Sequence, residues 1–399
     1  MPQRLKLAVS QSRTLSTVKQ TLESLAATTR EAAQQGVDVL LFPEAYLGGY
    51  PRECDFGATV GSRKDAGREQ FLRYFHGCPD LGDTPKGAGD DWVDRKLPVA
   101  KDKEYRGDGT REYLESVAKQ TGVFIIVGLV EKAGGTLYCA AVYVCPRLGV
   151  IGKRRKLMPT GSERLVWGQG PASSLRAVTT TIQGVRLTMA AAICWENLMP
   201  LLRYSLYSQN VNLWLAPTAD ARDTWWPLMR TIGQEGRCFV LSAISCTKRK
   251  NLPPWVHGVK DSAPASVSPM SSPLRSPSGR RRSMVVKEDR HSIVLPVDGE
   301  GGESAVADAD TQQSASQVNG ASDASGEEFA CRGGSCIAGP FGNVIAEPLW
   351  EVEDGGLVVA EVDFDDCERG RLDLDVAGSY SRNDAFNLTV EGLDITPPP

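Results

Sequence analysis

Residues 1–248 alternate short, almost unbroken apolar runs with stretches whose apolar residues recur in steps of three and four. That alternation restricts the chain to an α/β fold in which helices cover a sheet buried on both faces. The first run, Leu5-Lys6-Leu7-Ala8-Val9, precedes Leu15, Val18, Leu22, Leu25, Thr29 and Ala32, which fall on one side of a helix. Further runs at 37–42, 123–130, 138–145, 185–193, 211–216 and 239–246 predict strands. Helices are expected near 109–121, 198–209 and 224–238.

The pattern stops at about residue 249. From there to 329 Ser, Pro, Ala, Asp and Gly dominate and apolar periodicity vanishes, so the segment reads as a disordered low-complexity insertion. Within it, Arg280-Arg281-Arg282 before Ser283 reads as a solvated charge cluster, with a phosphorylation or nuclear-import signal as the alternative. Order resumes at Cys331: the segment Arg332 to Asn343 has the form strand, Gly-containing turn, strand, and Leu357 to Val362 adds one more strand. The division expected is a single domain made of 1–248 and 330–385, an insertion at 249–329 and a tail at 386–399.

Composition excludes several classes of function. The longest apolar run, Val123 to Val130, is interrupted by Gly128 and is far too short to cross a bilayer. The N-terminus opens into a strand rather than an apolar stretch of signal-peptide length, so a cytoplasmic location is expected. A net charge of -4 and a pI near 5.7 give no basis for a nucleic-acid or anionic-lipid surface, which leaves a small-molecule partner. Ten cysteines without a CxxC pair read mostly as reduced core residues.

Three strand ends carry the chemistry. Cys194 ends Leu187-Thr188-Met189-Ala190-Ala191-Ala192-Ile193-Cys194, and Asn197, Pro200 and the apolar residues after them start a helix. A thiol near a helix N-terminus is favoured as thiolate, and the Trp195 N–H can donate to a developing anion. The only histidines, His76, His257 and His291, lie outside the core framework, so a Cys/His pair is not expected. Glu44 closes Val37-Asp38-Val39-Leu40-Leu41-Phe42-Pro43-Glu44 and becomes a general base if it is desolvated beside Cys194. Lys156 follows Lys153-Arg154-Arg155; strand alternation puts 154 and 156 on one face and 153 and 155 on the other, so at least one pair points inward. Glu163 supplies a second carboxylate able to hold Lys156. Taken singly, each has a plainer reading: a core cysteine, a solvated loop glutamate, a wet basic strip.

Together these segments resemble the nitrilase branch of the carbon–nitrogen hydrolase superfamily. The resemblance rests on Phe42-Pro43-Glu44-Ala45 with Gly49-Tyr50-Pro51, on Arg155-Lys156-Leu157-Met158-Pro159-Thr160 with Glu163-Arg164 and Trp167-Gly168, and on Cys194-Trp195-Glu196-Asn197. It implies an αββα sandwich that pairs into αββααββα homodimers and often into larger spirals. It also implies Glu44 as base, Lys156 as oxyanion stabiliser, Cys194 as nucleophile and Glu163 as supporting glutamate, with no metal or organic cofactor. Tyr50, Trp167 and Glu196 are candidates for the substrate pocket; the aromatics Tyr46, Tyr50, Trp167, Trp225 and Trp226 serve equally as pocket, core or dimer-contact residues. Two departures stand out: Arg154 lies where many nitrilases carry histidine, and Gly168-Gln169-Gly170-Pro171-Ala172 replaces Gly-x-Gly-Asp-Gly. The activity implied is hydrolysis of an organic nitrile to acid and ammonia, with some amide as by-product. The alternatives are a cyanide hydratase, an amidase or carbamoylase of the same fold, or a silent filament or scaffold protein.

Overall fold

The computed structural model describes residues 3–257, 282–288, 291–297, 326–353 and 355–399. The chain divides into two units, Met1–Lys260 together with Asp323–Pro399, and Asp261–Ser322. In the smaller unit the described backbone is an antiparallel hairpin, Arg282–Glu288 against His291–Val297, which includes Ser283. Most of the segment read as disordered, with Arg280 and Arg281, lies outside the described residues.

The larger unit is built on two sheets. The first has the order β13-β1-β2-β3-β4-β5, where β1 is Arg4–Ser10, β2 Val39–Leu41, β3 Phe124–Ala133, β4 Thr136–Cys145, β5 Gly149–Arg155 and β13 Leu357–Asp363. The second runs β10-β11-β9-β8-β7-β6, with β6 Val178–Ile182, β7 Val185–Ala191, β8 Leu213–Leu215, β9 Phe239–Ser242, β10 Cys246–Lys248 and β11 Phe329–Ala338; β12, Val344–Trp350, pairs with β11. Both sheets are mixed. β1, β2 and β3 are parallel neighbours (Leu7 opposite Val39, Val39 opposite Phe124), as are β7, β8 and β9, and antiparallel neighbours complete each sheet.

Side-chain alternation along these strands sorts the apolar residues into layers. Leu5, Leu7 and Val9 of β1 and Phe124 and Ile126 of β3 meet Met189 and Ala191 of β7, Leu213 and Leu215 of β8 and Leu241 of β9 between the sheets. The opposite faces, Ala8, Leu40, Ile125 and Val127, pack under α1 (Val18–Gln34) and the helix Thr110–Thr121. On the other side Ala190, Trp214 and Val240 pack under the helices Pro200–Tyr207 and Trp225–Gly236. The layers therefore run helix, sheet, sheet, helix. The αββα sandwich is the fold of this chain.

Local chemistry sets the element ends. Helix α1 starts after Thr17, whose side chain accepts from the Gln20 N–H, so Leu15 stays outside. Two elements carry little apolar signal: the helix Asp65–His76, and β6, whose Val-Thr-Thr-Thr-Ile stands half-exposed at a sheet edge. Residues 249–257, which composition groups with the insertion, instead form two short 3₁₀ turns. Buried Trp255 anchors them, its ring centroid 4.2 Å from that of Tyr74.

Candidate active site

Glu44 lies just beyond β2, where the chain turns sharply: Ala45 after it has a φ of +51°. Gly128 makes room for that turn. A Cβ at Gly128 would stand 2.0 Å from the Pro43 carbonyl oxygen, so only glycine lets β3 lie against this backbone. Lys156 follows β5, and its N–H donates to the Cys139 carbonyl at 2.7 Å. Cys194 opens a 3₁₀ turn, Cys194–Leu198, with a φ of +53°, a left-handed conformation that costs a non-glycine residue free energy. Its N–H donates to Pro217 O at 2.9 Å, and Asn197 Nδ2 donates to Cys194 O and Ala192 O at 2.7 Å each, so the strained peptide is held from both sides. Asn197 does not cap the helix that follows; its amide oxygen accepts from Trp214 Nε1 at 2.8 Å instead.

The three strand ends converge. Lys156 Nζ donates to Glu44 Oε1 at 2.8 Å and to Glu163 Oε2 at 2.7 Å, and all three side chains are buried. Acceptor atoms of Glu44 and Glu163 and the Cys194 sulfur lie within 4.8 Å of one another. Glu163 is fixed from elsewhere: its Oε2 also accepts from the Thr160 N–H at 2.7 Å, and Tyr50 OH donates to its Oε1 at 2.9 Å. Glu44 Oε2 is buried with no hydrogen-bond partner among the described residues. Two carboxylates and a sulfur are a plausible donor set for a cation. Here the Lys156 ammonium already occupies the space between the carboxylates and supplies the positive charge a metal would bring.

Charge and burial set the protonation states. Burial pushes the Glu44 carboxyl up, the Lys156 charge draws it back and Glu163 adds to the rise; the net effect lies above its ordinary 4.5. The Lys156 ammonium is penalised by burial, but Glu44, Cys194, Cys139 and Glu163 outweigh that and hold it well above its usual range. The Cys194 thiol is raised by burial and then by Glu44, against Lys156 and the 3.1 Å hydrogen bond from Thr218 Oγ1. This corrects the expectation that a helix terminus favours thiolate: one 3₁₀ turn does not offset complete burial beside a carboxylate. The arrangement can pass the thiol proton to Glu44 as the sulfur attacks, with Lys156 facing the anion that develops.

The remaining candidates divide. Tyr50 reaches a small cavity of about 40 Å³ that Glu44 also lines, together with Thr14, Arg52, Ala219, Ser245 and Pro253. The Trp195 N–H makes no backbone hydrogen bond among the described residues, and its indole N–H donates to Asp220 Oδ2 at 2.8 Å. Trp167 lies in the core behind the site, donating from Nε1 to Tyr74 OH at 3.0 Å and meeting Tyr50 edge-on. Glu196 is fully buried, and both its oxygens accept from Arg154. Tyr46 and Trp225 are core residues. Thr218, which touches the sulfur, is absent from the sequence reading because a lone threonine after an Ala-Pro carries no pattern.

The carbon–nitrogen hydrolase family model matches residues 6–371. The chain belongs to the carbon–nitrogen hydrolase family. Within it the chain is 35% identical, over 397 residues and 97% of each protein, to an arylacetonitrilase from Trametes versicolor (strain FP-101664). It is 34% identical to an aliphatic nitrilase from Sinorhizobium fredii (strain HH103), over 94% of this chain and 91% of that one. These relatives put it in the family's nitrilase branch, among hydrolases of carbon–nitrogen bonds. An amidase of the nitrilase superfamily from Nesterenkonia AN1 shares the family fold, with a TM-score of 0.51 and 14% identity over 97% of this chain and 98% of that one.

Proposed function

We propose that this protein is a nitrilase that converts an organic nitrile and two waters into a carboxylic acid and ammonia, with Cys194 as nucleophile, Glu44 as base and Lys156 as acid and anion stabiliser. The observation that carries the assignment of roles is the buried ammonium held between two carboxylates with the Cys194 sulfur beside them. The two nitrilase relatives support a nitrile rather than an amide as substrate. They differ on the group attached to it, arylmethyl in one name and aliphatic in the other.

In the first step Glu44 takes the thiol proton while the sulfur bonds to the nitrile carbon. The nitrogen gains a proton from Lys156, which takes back the proton held on Glu44 across their 2.8 Å hydrogen bond, so both groups regain their charges as the thioimidate forms. A water deprotonated by Glu44 adds to that carbon to give a tetrahedral intermediate, which Lys156 and the Trp195 N–H stabilise. Protonation of its nitrogen and cleavage of the C–N bond expel ammonia and leave a thioester; a second water cleaves the C–S bond and restores the thiol. If the C–S bond of the intermediate breaks first, the amide leaves instead. Glu163, bound to Lys156 and Tyr50, acts as a positioning residue.

The same reading takes 1–248 and 330–385 as one catalytic domain and 386–399 as a tail; of the insertion expected at 249–329, residues 249–257 belong with the domain instead. Pairing through the outer helices is supported by Leu198 and Leu201, which are exposed beside and on the helix Pro200–Tyr207. Among the described residues no helix is long and apolar enough to cross a membrane, which accords with action on a small nitrile in the cytoplasm.

Ammonia, acid and amide assayed on phenylacetonitrile, benzonitrile, an aliphatic dinitrile and cyanide test the proposal. Acid with equimolar ammonia is expected from at least one organic nitrile. Turnover confined to amides, or to cyanide with formamide as the only product, would replace it with an amidase or a cyanide hydratase.

A further inference from the structure

Behind the reacting groups lies a second buried ion pair that the mechanism above does not use. Arg154 Nη1 and Nη2 donate to Glu196 Oε2 and Oε1 at 2.6 and 2.8 Å, a fork-to-fork pair 2% and 0% exposed. Glu196 also accepts three backbone N–H groups, and their places in the chain are informative. Its Oε1 accepts from Leu157 N at 2.7 Å and Met158 N at 3.4 Å, the two residues directly after Lys156. Its Oε2 accepts from Ile193 N at 2.8 Å, the residue directly before Cys194. Arg154, two positions before Lys156, shares its face of the strand.

One carboxylate thus spans the gap between the sheets and holds the backbone on the inner side of both reacting residues. Cys194 needs such a brace, because its left-handed backbone persists only where its surroundings overdetermine it. A buried pair of this kind contributes little net stability compared with an apolar filling, so stability alone does not account for it.

We propose that Arg154 and Glu196 are positioning residues whose pair fixes the spacing between the Lys156 ammonium and the Cys194 sulfur, and through it both the rate and the choice between acid and amide. This rests on the nitrilase reading. The acid route requires the nitrogen of the tetrahedral intermediate to be protonated as its bond to carbon breaks. When the ammonium is displaced from that nitrogen, sulfur becomes the easier leaving group and amide is released. Misplacement of a reacting group by about 1 Å costs on the order of 100-fold in rate.

Arg154→Lys keeps the charge and loses the fork, and Glu196→Asp keeps the carboxylate but is one methylene short of the span. Each is to be assayed for kcat, KM, acid-to-amide ratio and iodoacetamide alkylation of Cys194 across pH, per folded protein, with the labelled peptide identified by mass spectrometry. The expected result is a kcat lowered about 10- to 100-fold with KM within about threefold, a larger share of amide and an altered pH profile of alkylation. Folded variants with the wild-type kcat, product ratio and alkylation profile would overturn the proposal. If neither folds, Arg154→His, a single-donor replacement, is assayed in the same way. Failure of all three to fold assigns the pair to stability and equally overturns it. Wild-type protein that is alkylated at Cys194 but hydrolyses no nitrile would sink the nitrilase reading alone, since the alkylation profiles still report on the brace.

Discussion

The two faces of β5 carry the same kinds of side chain and finish differently. On the outer face Lys153 Nζ binds Asp83 Oδ2 at 2.6 Å and also Glu131, and rests over the Trp92 ring. Arg155 beside it donates to Glu131 Oε2 at 2.7 Å and to the Pro85 and Thr84 carbonyls, and lies over Tyr138. On the inner face are Arg154 and Lys156. The only buried side-chain nitrogen or oxygen atoms left without a hydrogen-bond partner among the described residues are Arg154 Nε, on that face, and Glu44 Oε2, whose other oxygen accepts from Lys156. The outer network borders a much larger cavity, about 850 Å³ against about 40 Å³. Size is therefore a poor guide here: a saturated network has no atom left to offer, whereas an orphaned carboxylate oxygen beside a thiol is ready to take a proton.

If the inner face is reactive and the outer one structural, substitutions on the two must separate. The largest effect expected is from Cys194→Ala, which should cut nitrile turnover by more than about 10⁴-fold in an ammonia assay; full turnover would end the distinction. Glu44→Gln follows, with kcat reduced by roughly 10³-fold and the fold intact by circular dichroism. On the outer face Glu131→Gln leaves Lys153 and Arg155 short of a buried counter-charge. It should cost about 3–5 kcal/mol in urea denaturation while kcat per folded molecule stays near wild type. A loss of kcat without loss of stability there would erase the contrast.

Smaller effects sharpen it. Thr218→Val removes the donor to the Cys194 sulfur and should lower kcat by about tenfold, with KM little changed. The smallest is a difference of slope with pH. Burial raises Asp83, but Lys153 and backbone donors bring it below its ordinary 3.8; its contribution to stability is present above that pH and lost as pH falls through the folded value. Burial keeps Glu44 above 4.5, so its contribution is fully present below that pH and lost as pH rises through the folded value. Urea midpoints of Asp83→Asn and Glu44→Gln, each compared with wild type across pH, should therefore diverge in opposite directions. As a base, Glu44 must be ionised, so kcat/KM should fall with an apparent midpoint above 4.5 as pH drops.

Much of this was legible in the chain. Strand alternation at Lys153 to Lys156 marked two faces with an inward pair; Arg154, Arg155 and Lys156 prove to be buried and Lys153 half-buried. Glu44 and Cys194 stood out because each ends an apolar run, and Lys156 because strand alternation sets it on one face with Arg154. Trp255 did not, since a Ser/Pro-rich stretch follows it and an isolated aromatic has no period. Glu196 reads as a pocket residue when only its nearness to Cys194 is known; its brace to Leu157 joins positions 39 residues apart. The thiol was misjudged for a related reason, because burial by residues distant in sequence outweighs the local turn.

What the sequence by itself determined is the order and character of the elements and which polar residues sit at their ends, since periodicity and residue type act over a few positions. Only the tertiary structure decided which of those polar groups share a closed space, which are saturated and which are left one bond short. Those outcomes depend on how two sheets pack against each other, and hydrogen-bond satisfaction and desolvation are properties of that packed interior rather than of any segment of chain.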